Sequence, residues 1–173
     1  MSGLRVFYTS LFLFALFVIQ ELVIARINFP FDGFSLYLAA LMIVLSLEDR
    51  TGSLVFGFIG GMIMDLSTSA DTPFGQWALV LTIIGYLFSV NRETVGDFTQ
   101  SPFTFVAFVS TAVSLSLLVF LIIGIMLGQN NGGFYHYLTL IFANAIWSLL
   151  LTPIFLPVVI KVRKLTLTNR ERI

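Results

Sequence analysis

The stretch Gly52–Leu66 reads GSLVFGFIGGMIMDL, and its small residues fall at a fixed interval. Ser53, Gly57, Gly61 and Asp65 occupy positions i, i+4, i+8 and i+12. On an α-helix this spacing makes one slanted ridge along a single face. Glycine lets a neighbouring backbone come close, and rows of small residues are common where helices meet in lipid. An aspartate on that ridge is costly in hydrocarbon, so it is expected to face protein or water. The stretch therefore predicts a membrane helix with one tightly packed face and a polar end.

Composition extends that reading to the whole chain. Of its 173 residues 58% are hydrophobic and only 10% are charged, whereas soluble domains carry about 25% charged residues. Mean hydropathy is +0.99. The formal net charge is zero, which gives no pointer to nucleic acid, and the absence of cysteine excludes disulfides, thiol catalysis and cysteine metal sites. The N-terminal run MSGLRVFYTSLFLFALFVIQ has one arginine, a long apolar stretch and no small-residue cleavage site. It is expected to be a retained first span and not a signal peptide.

Six apolar segments can be drawn, at about Val6–Ile24, Phe34–Leu47, Ser53–Leu66, Phe74–Val90, Phe103–Leu127 and Tyr137–Val159. Turn-rich breaks separate them: NFPFDG, LEDRTG, STSADTP, NRETVGDFTQSP and GQNNGG. The expected fold is all-α, a polytopic membrane protein with six transmembrane helices in one bundle and a single domain over residues 1–173. Segments two to four are short for spans, and the fifth is long. With both termini cytoplasmic, Arg5, Arg50, Arg92, Lys161, Arg163, Lys164, Arg170 and Arg172 lie inside and only Arg26 lies outside. Eight of nine basic residues on one side predicts N-in, C-in by the positive-inside rule. Trp77 and the FYHY run at Phe134–Tyr137 are expected at the outer interface as aromatic anchors. The basic tail, with Lys161, Arg163, Lys164, Arg170 and Arg172, either lies on anionic headgroups or only fixes topology. Pro153 and Pro157 are expected to kink the last span. No internal repeat is visible, which argues against a transporter built from inverted halves.

No constellation for catalysis stands out. His136 is the single histidine and lies beside an outer loop, and no HExxH or phosphate loop is present. Glu48–Asp49 reads as a solvated boundary next to Arg50. The chain is expected to be non-catalytic and to carry no metal or cofactor. What remains is an outer polar layer of Gln20, Glu21, Arg26 and Trp77, with Asp65 and Asn144 at matching depth by a rise of about 1.5 Å per residue. Asp65 and Asn144 are expected to form a polar latch across helices; alternatively the layer lines a pocket open to the outside. Arg26, between Glu21 and Asp32, is expected to form a boundary ion pair or to contact a partner.

The segment GFIGGMIMDLSTSADTPFGQWALVLTIIGYL, Gly57–Leu87, resembles the rod shape-determining MreD family. The residues that carry the resemblance are Gly57, Gly61, Asp65, Gly75, Gly85 and Tyr86. Pro30-Phe31-Asp32 before the second span supports it, as does the last span, FANAIWSLLLTPIFLPVVIKVRK. The resemblance implies a non-catalytic scaffold of lateral peptidoglycan synthesis in the bacterial cytoplasmic membrane. Its implied partner is an MreC-like single-span protein, within a complex that also holds RodA, a class B penicillin-binding protein and MreB filaments. The family also looks similar in fold to the vitamin-binding S components of energy-coupling factor transporters, which is the alternative function. The alanine row by which S components contact their coupling subunit is missing, since Ala15 and Ala25 are ten apart.

Overall fold

The computed structural model describes residues 3–22, 35–67, 73–98, 100–129 and 134–166, without the side chains of residues 134–136 and 166. Arg26, Pro30, Phe31, Asp32, Arg170 and Arg172 lie outside these stretches, as does the side chain of His136. Among the described residues every regular element is a helix, in the order α1 (Gly3–Leu22), α2 (Leu36–Leu47), α3 (Arg50–Met64), α4 (Gln76–Val90), α5 (Arg92–Phe98), α6 (Pro102–Met126) and α7 (Phe134–Thr166). The all-α expectation holds.

Three of these helices, α1, α6 and α7, are long and apolar enough to cross a membrane. A fourth crossing is counted if α4 and α5, bent by 87° at a short break, are taken together. The second and third expected spans appear as apolar helices of only 12 and 15 residues. At a rise of about 1.5 Å per residue these reach roughly 18 and 22 Å, against a hydrocarbon core of about 30 Å. Helix α7, with 33 residues, continues through Pro153 and Pro157 and includes the first part of the basic tail. Helix α5 was not foreseen. Its sequence RETVGDF falls in a stretch read as a turn, but Val95 is buried and Phe98 stacks on Phe108 with ring centroids 5.2 Å apart.

Helix α2 is the centre of the molecule. Eleven of its twelve residues are buried, so it is apolar on all sides and enclosed on all sides. It packs against α1, α3, α4, α6 and α7. The most extensive pairing in the chain is α3 with α4, followed by α6 with α7. Two left-handed glycines shape the connections. Gly75, at φ 95°, is the N-cap of α4. Gly128, at φ 76°, ends α6: Gln129 N–H donates to the Gly124 carbonyl at 3.0 Å and Gly128 N–H to the Ile125 carbonyl at 3.0 Å. That is a Schellman ending, and it needs a residue without a Cβ at the turn.

Candidate functional site

The ladder is a helix–helix seam, and each rung meets α4. A Cβ on Gly61 would lie 2.4 Å from Ala78 Cα and 2.5 Å from the Trp77 carbonyl oxygen. One on Gly57 would lie 2.5 Å from the Leu81 carbonyl oxygen. From the opposite side, a Cβ on Gly85 would lie 2.4 Å from the Ser53 carbonyl oxygen. The two backbones therefore touch, and α4 contributes its own small row, Ala78 and Gly85. Ser53 is fully buried, and its hydroxyl donates to the Leu45 carbonyl of α2 at 2.9 Å.

Asp65 completes the seam chemically. Its Oδ1 accepts from Trp77 N–H and its Oδ2 from Ala78 N–H, both at 3.0 Å. These are free amides of the first turn of α4, which Gly75 has no side chain to cap. The carboxylate satisfies two of them and sits at the positive end of the helix dipole. The expected latch between Asp65 and Asn144 is thus corrected: no hydrogen bond joins them. Asn144 Nδ2 donates to the Leu140 carbonyl at 3.0 Å, inside its own helix. Asn144 belongs instead to a second ladder, Asn144, Ser148 and Thr152, all buried on α7. Ser148 donates to the Asn144 carbonyl at 2.7 Å and Thr152 to the Ser148 carbonyl at 2.5 Å. The i, i+4, i+8 spacing of these three was readable in the sequence.

Gln20 and Glu21 of the expected outer layer do the same kind of work. Gln20 Oε1 accepts from Tyr37 N–H at 2.7 Å, beside Ser35, whose hydroxyl accepts from Leu38 N–H at 3.2 Å. Together they cap the start of α2. Glu21 accepts from Ser67 at 2.9 Å. Trp77 is not an interfacial anchor: it is buried and stacked on Phe120, with centroids 4.1 Å apart. Gln76, which sequence reading missed, donates to the Phe120 carbonyl at 3.0 Å and accepts from Gln129 at 3.0 Å. The layer is a set of ties and helix caps. Helices that end inside the protein leave amides and carbonyls away from water, so side chains from neighbours must meet them.

At the opposite end lies a cluster that the sequence did not reveal. Glu48, the C-cap of α2, is 2% exposed, not the solvated boundary residue expected. Buried Arg5 of α1 donates to it, and Nε of Arg163 of α7 lies 3.8 Å from its other oxygen. Arg92 of α5 donates to the Ser46 carbonyl near the end of α2 at 2.5 Å. Asp49 caps α3 through Gly52 N–H at 2.9 Å. Burial raises the Glu48 carboxyl above the ordinary carboxylate range, against the pull of Arg5 and then Arg163. Burial lowers Arg92, with repulsion from Arg163 acting in the same direction. Arg163 is therefore no mere surface charge, while Lys161 and Lys164 are exposed. A charge pattern could have suggested this: Arg5, Glu48, Arg92 and Arg163 sit at the ends of four apolar segments on one predicted side.

The geometry therefore gives a seam, a capped layer and an ionic knot that ties α1, α2, α5 and α7 at one end. No family model, curated protein or solved structure matches the chain.

Proposed function

We propose that this chain is a non-catalytic scaffold subunit of the bacterial cell-elongation complex, in the cytoplasmic membrane. Its six apolar helices, α1 to α4, α6 and α7, cross as one bundle with both termini inside, and it docks an MreC-like single-span protein. The observation that carries the reading is the α3–α4 seam. The segment with the densest resemblance to MreD, Gly57–Leu87, is also where Gly57, Gly61 and Gly85 bring two backbones into contact and Asp65 ties one helix to the next. A rigid hairpin of this kind suits a platform that holds other membrane proteins. The convergence of Arg5, Glu48, Arg92 and Arg163 supports placing their four chain positions on one side.

The test is co-purification of an MreC-like protein from detergent. Capture is expected to survive substitution of His136 and to weaken with Gly57→Leu or Gly61→Leu. Normal folding and normal capture by both bulky variants would remove the seam from the argument. Tight binding of a vitamin by the purified chain would overturn the scaffold reading in favour of an S component.

A further inference from the structure

Near the end of the bundle that holds Glu48, α1 and α7 border an open groove of about 550 Å³. Tyr8, Leu11, Phe12 and Ala15 form one wall, and Val162 and Leu165 form the other. Its volume lies within the roughly 300–1,000 Å³ common for ligand sites. The lining is apolar except for the Tyr8 phenol. Phe12 and Val162 also line a small cavity that reaches Glu48 and Arg163, so the groove abuts the ionic cluster.

Basic side chains gather at this end. Three arginines, Arg5, Arg92 and Arg163, stand about the buried carboxylate of Glu48, with exposed Asp49 and Glu93 as further acids. Lys161 and Lys164 are exposed on the same turns of α7 that supply Val162 and Leu165. Lys161 stands one turn before Leu165, on the same side of the helix. An apolar furrow with a cationic rim at the membrane boundary matches an amphiphile with a hydrocarbon chain and a negative head.

We propose that this groove binds one anionic phospholipid from the adjoining leaflet. One acyl chain lies along Tyr8, Leu11 and Ala15, and the phosphate lies at the rim formed by Lys161 and Lys164. The proposal rests on the membrane setting of α1 and α7 and is independent of the scaffold role.

Native mass spectrometry of the delipidated chain, titrated with phosphatidylglycerol or phosphatidylcholine, tests it. One phosphatidylglycerol is expected to be retained, at a concentration at least about tenfold below that needed for phosphatidylcholine. Ala15→Trp fills the groove from an exposed position and is expected to abolish that retention. The Lys161→Gln/Lys164→Gln pair, which leaves the Glu48 cluster intact, is expected to bring the two lipids level. Equal retention of both lipids by the parent chain overturns the proposal, as does unchanged retention by Ala15→Trp. So does a dimer that Ala15→Trp dissociates, which would seat a second copy in the groove. Retention that appears only after residues 167–173 are removed would seat the chain's own tail there.

Discussion

Glu48 sits where two guanidinium groups need it. Removing the side chain takes from buried Arg5 the oxygen that accepts from it, and loosens the tie to half-buried Arg163, whether the carboxyl is charged or neutral. Glu48→Ala is therefore expected to lower the thermal unfolding midpoint in detergent more than Asp49→Ala, which loses only an exposed cap. A pH dependence follows. Because burial raises the folded-state pKa of Glu48 above its ordinary 4.5, the folded protein holds the proton more tightly than the unfolded chain. The resulting contribution to stability is full below 4.5 and disappears as pH rises through the folded-state value. Unfolding midpoints measured against pH should show this decline, and Glu48→Gln should flatten it. Asp65 is a simpler case. Asp65→Ala leaves two amides of α4 without acceptors and should cost about 1–2 kcal/mol, whereas Asp65→Asn retains one acceptor and should cost less. Chemical unfolding of the two variants side by side distinguishes them.

The α3–α4 hairpin is the element in which sequence pattern and packing agree most closely. Gly57, Gly61 and Gly85 lie where even a methyl group would meet backbone atoms of the partner helix, which cannot rotate away. Gly61→Ala and Gly85→Ala should each destabilise by about 1–3 kcal/mol through overpacking. The two sites share one seam, so the double variant should cost less than the sum, because the first substitution has already separated the helices. A double-mutant cycle in detergent measures the difference. Gly60, by contrast, faces the flexible side chain of Leu41, and alanine there should be accommodated more easily. Helix α7 offers the same four-residue interval in Asn144, Ser148 and Thr152, but each of these bonds back into its own helix. The tie of this stretch to a neighbour comes instead from α6, where the Ser110 hydroxyl donates to the Ala145 carbonyl at 2.8 Å, while Asp65 is taken up by the amides of α4.

The whole molecule is a short central helix sheathed by longer ones, with polar ties at both ends of the apolar layer. Helix α2 ends inside the protein, and Gln20 and Ser35 close its start while Arg92 and Ser53 meet carbonyls near its end. This arrangement makes topology directly testable, because the chain has no cysteine of its own. Single cysteines at Arg50 and Lys164, both exposed at the Glu48 end, should label from the same side of a sealed vesicle. One at Gly75, at the opposite end, should label from the other side. Labelling of positions 50 and 164 from opposite sides would break the proposed orientation.

Composition and the Gly57–Gly61–Asp65 interval are local properties, and they sufficed to read an all-α chain, six apolar segments and a close-packed helix face. A period of four residues needs only the helix itself to become a ridge. Partner choice was not legible. Asp65 could have met Asn144, water or a helix end, and only the fold of Gly75 back over α3 brings the amides of Trp77 and Ala78 to it. The burial of Glu48 was equally hidden, since a charged pair in a turn looks solvated until helices from both ends of the chain close over it. Side-chain periodicity is written along one helix. The satisfaction of buried charges and helix ends depends on which distant segments arrive beside them, and tertiary structure alone decides that.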